Sequence, residues 1–162
     1  MTEIISVKYI VREPRMRMRL LSEYLLPDMI HLLSSGDLEG ANLEGINLTG
    51  VWLKGINLKR ANLRGACLQF AILSEANLED ANLEEANLSR SNFIGANLSR
   101  ANMRKANLYY SRFTNANLQS VNLQYANLQR AILRCADLSG ADIRYANGEP
   151  IVDRTKMDGL VR

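Results

Sequence analysis

From Leu38 to Ile143 an apolar residue recurs at every fifth position, about 22 times, and a small residue, most often Ala, stands two places before it. The unit is plainest over residues 76–90, which read Ala-Asn-Leu-Glu-Asp, Ala-Asn-Leu-Glu-Glu, Ala-Asn-Leu-Ser-Arg. A period of five suits neither regular element. On an α-helix each step of five advances about 140° beyond a full turn and spreads the leucines around every side. Along one continuous strand they would alternate between faces. All of them stay inside only if each unit is three extended residues followed by a two-residue bend, always turning the same way. Ala76 and Leu78, two apart, then share the inward face, Asn77 points out, and the pair after the Leu forms a corner. The pattern predicts an all-β solenoid.

The number of units per coil is read from the exceptions, because stacked coils set residues one coil apart above one another. The outward Asn or Asp is replaced at Trp52, Cys67, Ile72, Arg112 and Ile132, and four of these five differ by multiples of twenty. Phe93 and Phe113 replace the inward Leu, also twenty apart, each with a Ser (Ser91, Ser111) where Ala is usual. Charges agree: Glu44, Arg64, Glu84 and Arg104 alternate in sign at this spacing, as do Arg60, Asp80 and Arg100, and Glu85 precedes Lys105 by the same step. Four units per coil predicts a four-sided tower of about five and a half coils, roughly 26 Å tall at a strand spacing of about 4.8 Å. Gly fills the second corner position at Gly40, Gly45, Gly50, Gly55 and Gly65 and later only at Gly95 and Gly140. This predicts type II corners in the first coils and mainly other turn geometries after Phe70.

The repeating Ala-(Asp/Asn)-Leu-x-x unit, in some twenty tandem copies from about Asp37 to Asn147, resembles the pentapeptide-repeat family. The resemblance implies a right-handed quadrilateral β-helix, a cytoplasmic bacterial protein of a kind common in cyanobacteria, and a tail that closes the last coil. It divides the chain into residues 1–36, a strand and mainly helical N-terminal cap; 37–147, the β-helix; and 148–162, the closing tail. In the cap, residues 4–11 have strand composition and residues 15–26 helical spacing, with Pro27 after them. Such a segment would cover the apolar edge of the first coil. Gly148 and Pro150 break the count, so residues 151–162 are expected to leave the five-residue repeat, with Met157 and Leu160 as the lid.

Composition excludes more than it identifies. With 162 residues, 47% hydrophobic and 23% charged, the chain has the make-up of a folded domain. The net charge of +3 is spread thinly along it. Cys67 and Cys135 lie more than three coils apart, too far for a disulfide, so both are read as reduced thiols of a cytoplasmic protein. No stretch approaches the length of a membrane helix, and the N-terminus lacks the apolar core of a leader. The run Arg12, Arg15, Arg17 and Arg19 reads as a solvated face and the lone His31 as structural.

Catalysis requires converging titratable groups, and the sequence offers none, so no enzyme activity, metal or cofactor is expected. Apolar replacements on the outside are more informative. Trp52, Ile72 and Ile132 fall in one column, and Phe70 and Tyr110 in the adjoining one with Arg90 and Arg130. Together they form a candidate interaction strip, covered either by the protein's own termini or by another protein. Tyr125 and Tyr145 form a second column near the C-terminal end, where the protein is a monomer or pairs end to end with a second copy. The leading reading is a non-enzymatic scaffold for an unidentified protein partner. One alternative, implied by resemblance to the quinolone-resistance members, is DNA mimicry against DNA gyrase. Against it, the acidic zone of Glu75, Glu79, Asp80, Glu84 and Glu85 is bracketed by Arg60, Arg64, Arg100, Arg104 and Lys105. A second alternative is weak nucleic-acid binding by Arg90, Arg130 and Arg134 with Phe70, Tyr109 and Tyr110, which interleaved carboxylates disfavour.

Overall fold

A computed structural model describes residues 36–162 of the chain. The expected N-terminal strand and helices, the Arg12 to Arg19 run and His31 lie outside the described residues.

Each outward residue forms a parallel bridge with the outward residue twenty places on, Asp37 with Asn57, Asn57 with Asn77, and so on up the molecule. Four columns of bridges result. The first wall carries Asp37, Asn57, Asn77, Asn97, Asn117 and Asp137; the second Asn42, Asn62, Asn82, Asn102, Asn122 and Asp142. The third carries Asn47, Cys67, Asn87, Asn107, Asn127 and Asn147, and the fourth Trp52, Ile72, Asn92, Arg112 and Ile132. Among the described residues every rung is one bridge wide, so the walls are ladders of single residues and the molecule is a β-solenoid.

The unit's composition follows from where its five backbone N–H groups go. In the unit from Ala81 to Glu85, Ala81 donates across the preceding corner to Leu78 O (3.1 Å) and Asn82 to Ala61 O of the coil before (2.9 Å). Leu83 and Glu85 donate to Asn102 O (2.7 Å) and Arg104 O (2.9 Å) of the coil after. That leaves Glu84, whose N–H is taken by the Asn82 side chain, Oδ1, at 3.2 Å. The outward Asn is therefore the acceptor that takes the corner N–H left over by the backbone ladder. Its Nδ2 also donates down the column, Asn82 to Asn62 and Asn102 to Asn82, both at 3.2 Å.

Leu, Ala, Phe93 and Phe113 fill the interior, nearly all without solvent exposure. The two phenyl rings stack with centroids 4.9 Å apart and planes 2° from parallel. Ser91 and Ser111 donate their hydroxyls to Leu88 O and Leu108 O, the latter at 2.6 Å, so replacing Ala beside the rings orphans no polar atom.

Two expectations are corrected. Positive φ does not stop at Phe70: Glu75, Asp80, Glu85, Arg90, Lys105, Tyr110, Tyr125 and Cys135 all take φ between 56° and 62° or within a degree of it. From Leu38 to Ala146 every corner keeps the bond from the N–H that opens the next unit to the carbonyl of the preceding inward residue, and positive φ at the third turn residue alone is the sign pattern of a type II turn. The winding imposes this on side chains that pay about 1–2 kcal/mol for it. The tail also resumes the count after losing one residue. Ile151 bridges Ile132, Lys156 bridges Asp137 and Val161 bridges Asp142, each nineteen apart, which extends the tower to about six and a half coils. Gly148 makes the slip possible: it has φ +99, and a Cβ there would lie 2.3 Å from Gln129 N. Leu160 packs on the core and Met157 is half-buried, on that extra part-coil.

Candidate interaction surface

The walls differ in how they treat charge and hydrogen bonds. Around the first and second walls arginine and lysine meet carboxylates across one coil. Arg64 lies 3.5 Å from Glu44 and 3.3 Å from Glu85, and Arg104 is 3.1 Å from Glu84. Arg100 holds Asp80 at 2.8 Å and also Glu79, and Lys105 holds Glu85 at 2.9 Å. The charge columns read from the sequence thus form, except that Arg60 turns to Glu39 and not to Asp80. These partners hold the carboxyls below their ordinary range: Lys59 and then Arg100 act on Glu79, Arg100 on Asp80, and Lys105 on Glu85. Higher up, the Ser139 hydroxyl, Gln119 and the Ser139 N–H bring Asp137 down to about 2, and Arg144 lowers Asp142.

The fourth wall has a different surface. Trp52 and Ile72 bridge at its lower end, and Ile132 and Ile151 at its upper end, but Asn92 and Arg112 stand between the two pairs. The corner before it carries Phe70, Arg90, Tyr110 and Arg130 in sequence. The Arg90 guanidinium lies 5.6 Å from the Phe70 ring centroid and that of Arg130 5.3 Å from Tyr110, whose hydroxyl Arg130 also contacts. Tyr109 meets Tyr110 edge-on at 4.6 Å. Trp52 and Phe70 are 42% and 52% exposed; Ile72, Tyr110 and Ile132 are half-buried. The expected strip is thus two apolar patches separated by a cationic belt. Sequence reasoning missed the upper partner Ile151, which the count by five hides until the lost residue at Gly148 is allowed for.

Loss of the outward Asn has a further effect. On the fourth wall the corner N–H groups of Lys54, Ser74, Thr114 and Arg134 find no acceptor among the described residues, while Ile94, which follows Asn92, does (3.0 Å). The signal was present in the sequence as each non-Asn at an outward position, but its meaning needs the corner geometry.

Tyr125 and Tyr145 stack at 4.8 Å on the corner between the second and third walls, with Arg104 lying 5.2 Å from the Tyr125 centroid. Tyr145 is 70% exposed. Cys67 and Cys135 are free and occupy different parts of the surface, the third wall and the corner after the fourth. Among the described residues no three His, Cys, Asp or Glu side chains converge as metal ligands, and no helix is long and apolar enough to cross a membrane.

The family profile of pentapeptide repeats matches in 8 copies, over residues 41–80, 71–108 and 111–147. The pentapeptide repeat protein Rfr23 from the cyanobacterium Cyanothece 51142 is 28% identical, with a TM-score of 0.57, over 79% of this chain and 95% of its own. The pentapeptide repeat protein alr5209 from Nostoc PCC 7120 is 32% identical, with a TM-score of 0.54, over 60% of this chain and 79% of its own. HetL from Nostoc sp. PCC 7120, a pentapeptide repeat protein involved in heterocyst differentiation regulation, is 31% identical with a TM-score of 0.41, over 76% and 65%. No functionally curated protein matches the chain.

Proposed function

This chain belongs to the pentapeptide-repeat family, and from that premise we propose that it is a non-enzymatic scaffold whose fourth wall binds another protein. One observation carries the reading: this is the wall that gives up the Asn column for Trp52, Ile72 and Ile132 and leaves Trp52 and neighbouring Phe70 about half exposed. Trp, Tyr and Arg are the residues enriched where protein contacts carry most of their energy. The contact centres on Trp52, Phe70 and Ile72, with Tyr110, Ile132 and Ile151 extending it. The occupant is a partner protein or the chain's own N-terminal segment. Two unpaired thiols fit a reducing compartment such as a bacterial cytoplasm. Tyr125 and Tyr145 offer a separate contact for end-to-end pairing, which a light-scattering mass with and without Tyr145→Ser decides.

DNA mimicry lacks the surface it requires, since Glu79, Asp80, Glu84 and Glu85 are engaged by Lys59, Arg64, Arg100, Arg104 and Lys105. The direct test of the scaffold reading is affinity capture from the source cell with the native chain and with Trp52, Phe70 and Tyr110 changed to Ser. Loss of a specific protein from the second bait supports it. An identical catch from both overturns it.

A further inference from the structure

Between residues 60 and 134 the arginines are sorted by wall, although Lys54 at the lower end of the fourth wall pairs with Glu75. Arg60, Arg64, Arg100 and Arg104, around the first and second walls, each meet a carboxylate. Arg90, Arg112, Arg130 and Arg134, on the fourth wall and its two corners, meet none among the described residues, although all four are exposed. Between Glu75 and Glu149 that wall and its corners hold no Asp or Glu at all. Carboxylate residues border the belt on the rung above, where Glu149 and Asp153 follow Arg130 and Arg134 up the tower without forming an ion pair with them. The four guanidinium groups fall on three successive rungs, within about 10 Å along the axis at the spacing of paired strands.

The same stretch carries the corner N–H groups of Thr114 and Arg134, which find no acceptor because Arg112 and Ile132 stand where Asn would be. On the first and second walls an Asn or Asp oxygen accepts that proton, and on the third wall Cys67 leaves the Gln69 N–H without an acceptor among the described residues. Cationic side chains and free backbone donors thus face outward together, with aliphatic patches on either side.

Resting on the reading that the fourth wall is a protein contact, we propose that its partner presents an extended acidic segment. Carboxylates of that segment accept from the Thr114 and Arg134 N–H groups and pair with Arg112 and Arg134, while an apolar side chain seats against Ile72 or Ile132. Charge complementarity selects an anion, and the flanking aliphatics select a protein over a nucleic acid. The rings point the same way. Phe70 and Tyr110 already carry guanidinium groups, so they are poor platforms for stacked bases.

The test is fluorescence anisotropy of the full chain with three labelled probes: a short alternating Glu-Leu peptide, its Gln-Leu counterpart and oligothymidylate. The Glu-Leu peptide is expected to bind, the Gln-Leu peptide to bind at least about tenfold more weakly, and Arg112→Glu with Arg134→Glu to lower the first affinity about tenfold or more. Arg64→Gln, on the carboxylate-paired side, is expected to leave it unchanged. If the double reversal does not fold by circular dichroism, Arg112→Gln gives the same sign with a smaller drop. Equal binding of the two peptides, lost on Trp52→Ser but kept in the arginine variants, overturns the acidic partner and leaves the apolar contact standing. Tighter binding of oligothymidylate than of either peptide, or binding of none of the probes, overturns the proposal.

Discussion

The second and fourth walls enclose the same core and face opposite demands outside. On the second, Asn62, Asn82 and Asn102 accept each corner N–H and donate to one another, and Arg64 and Arg104 close on Glu44 and Glu84. The corner donors of Arg64, Glu84 and Arg104 and the two guanidinium groups are thus matched within the wall. On the fourth, Trp52, Ile72, Arg112 and Ile132 break that column, and the corner donors and the arginines beside it stay unmatched. The wall that satisfies itself is architecture, and the wall that does not is where a contact has something to gain.

If the walls differ only on the outside, core truncation should cost both alike, and this is the largest effect expected. Phe113→Ala behind the fourth wall should cost about 3–5 kcal/mol and Leu123→Ala behind the second about 2–5, read by urea unfolding. A loss of less than about 1 kcal/mol at either would show that the interior is not one continuous core.

Exchanging outward residues between walls should then reverse sign. Ile72→Asn restores an acceptor for Ser74 N–H beside Asn92 and should raise stability by about 1 kcal/mol while removing partner binding. Asn102→Ile takes the acceptor from Arg104 N–H and the donor from Asn82, and should lower stability by about as much. Equal signs for the two in thermal melts would sink the account of the Asn column.

Acid should act on the self-satisfied side alone. The carboxyls of Glu79, Asp80, Glu85, Asp137 and Asp142 are all lowered in the folded chain, Asp137 from an ordinary 3.8 to about 2. A folded value below the unfolded one means that the stabilisation is complete above the ordinary carboxyl range and disappears as pH falls through it towards the folded value. The melting temperature should therefore drop between about pH 4.5 and 2. Asp137→Asn should flatten part of that drop, and Arg112→Gln none of it.

Corner strain is common to all walls and gives the smallest effects. Ser120 (φ 55) and Cys135 (φ 56) sit at corners after the first and fourth walls. Changing either to Gly should stabilise by about 1 kcal/mol or less, since relief of left-handed strain is partly offset by the freer unfolded chain. Opposite signs at the two would mean that the corners are not equivalent.

Much of this architecture is legible in the amino-acid sequence. The twenty-residue coil was written in Trp52, Ile72, Arg112 and Ile132 and in the Phe93 and Phe113 pair, because a repeat reports its stacking through its exceptions. Other features were not legible. Glu75, Arg90 and Tyr125 look like residues for a right-handed corner, yet all hold positive φ, because the winding fixes the turn whatever side chain stands there. The slip at Gly148 reads as the end of the repeat until the backbone is seen passing over Gln129.

The amino-acid order alone determined the repeat, its inward and outward faces and its fourfold register, since these depend only on periodicity and on which side chains leave water. Tertiary structure alone decided that Arg60 turns to Glu39 and not to Asp80, which corner N–H groups go without an acceptor, and that the apolar column is divided by a cationic belt. Those outcomes depend on which side chains from neighbouring coils and corners come within hydrogen-bonding reach, and linear spacing does not state such distances.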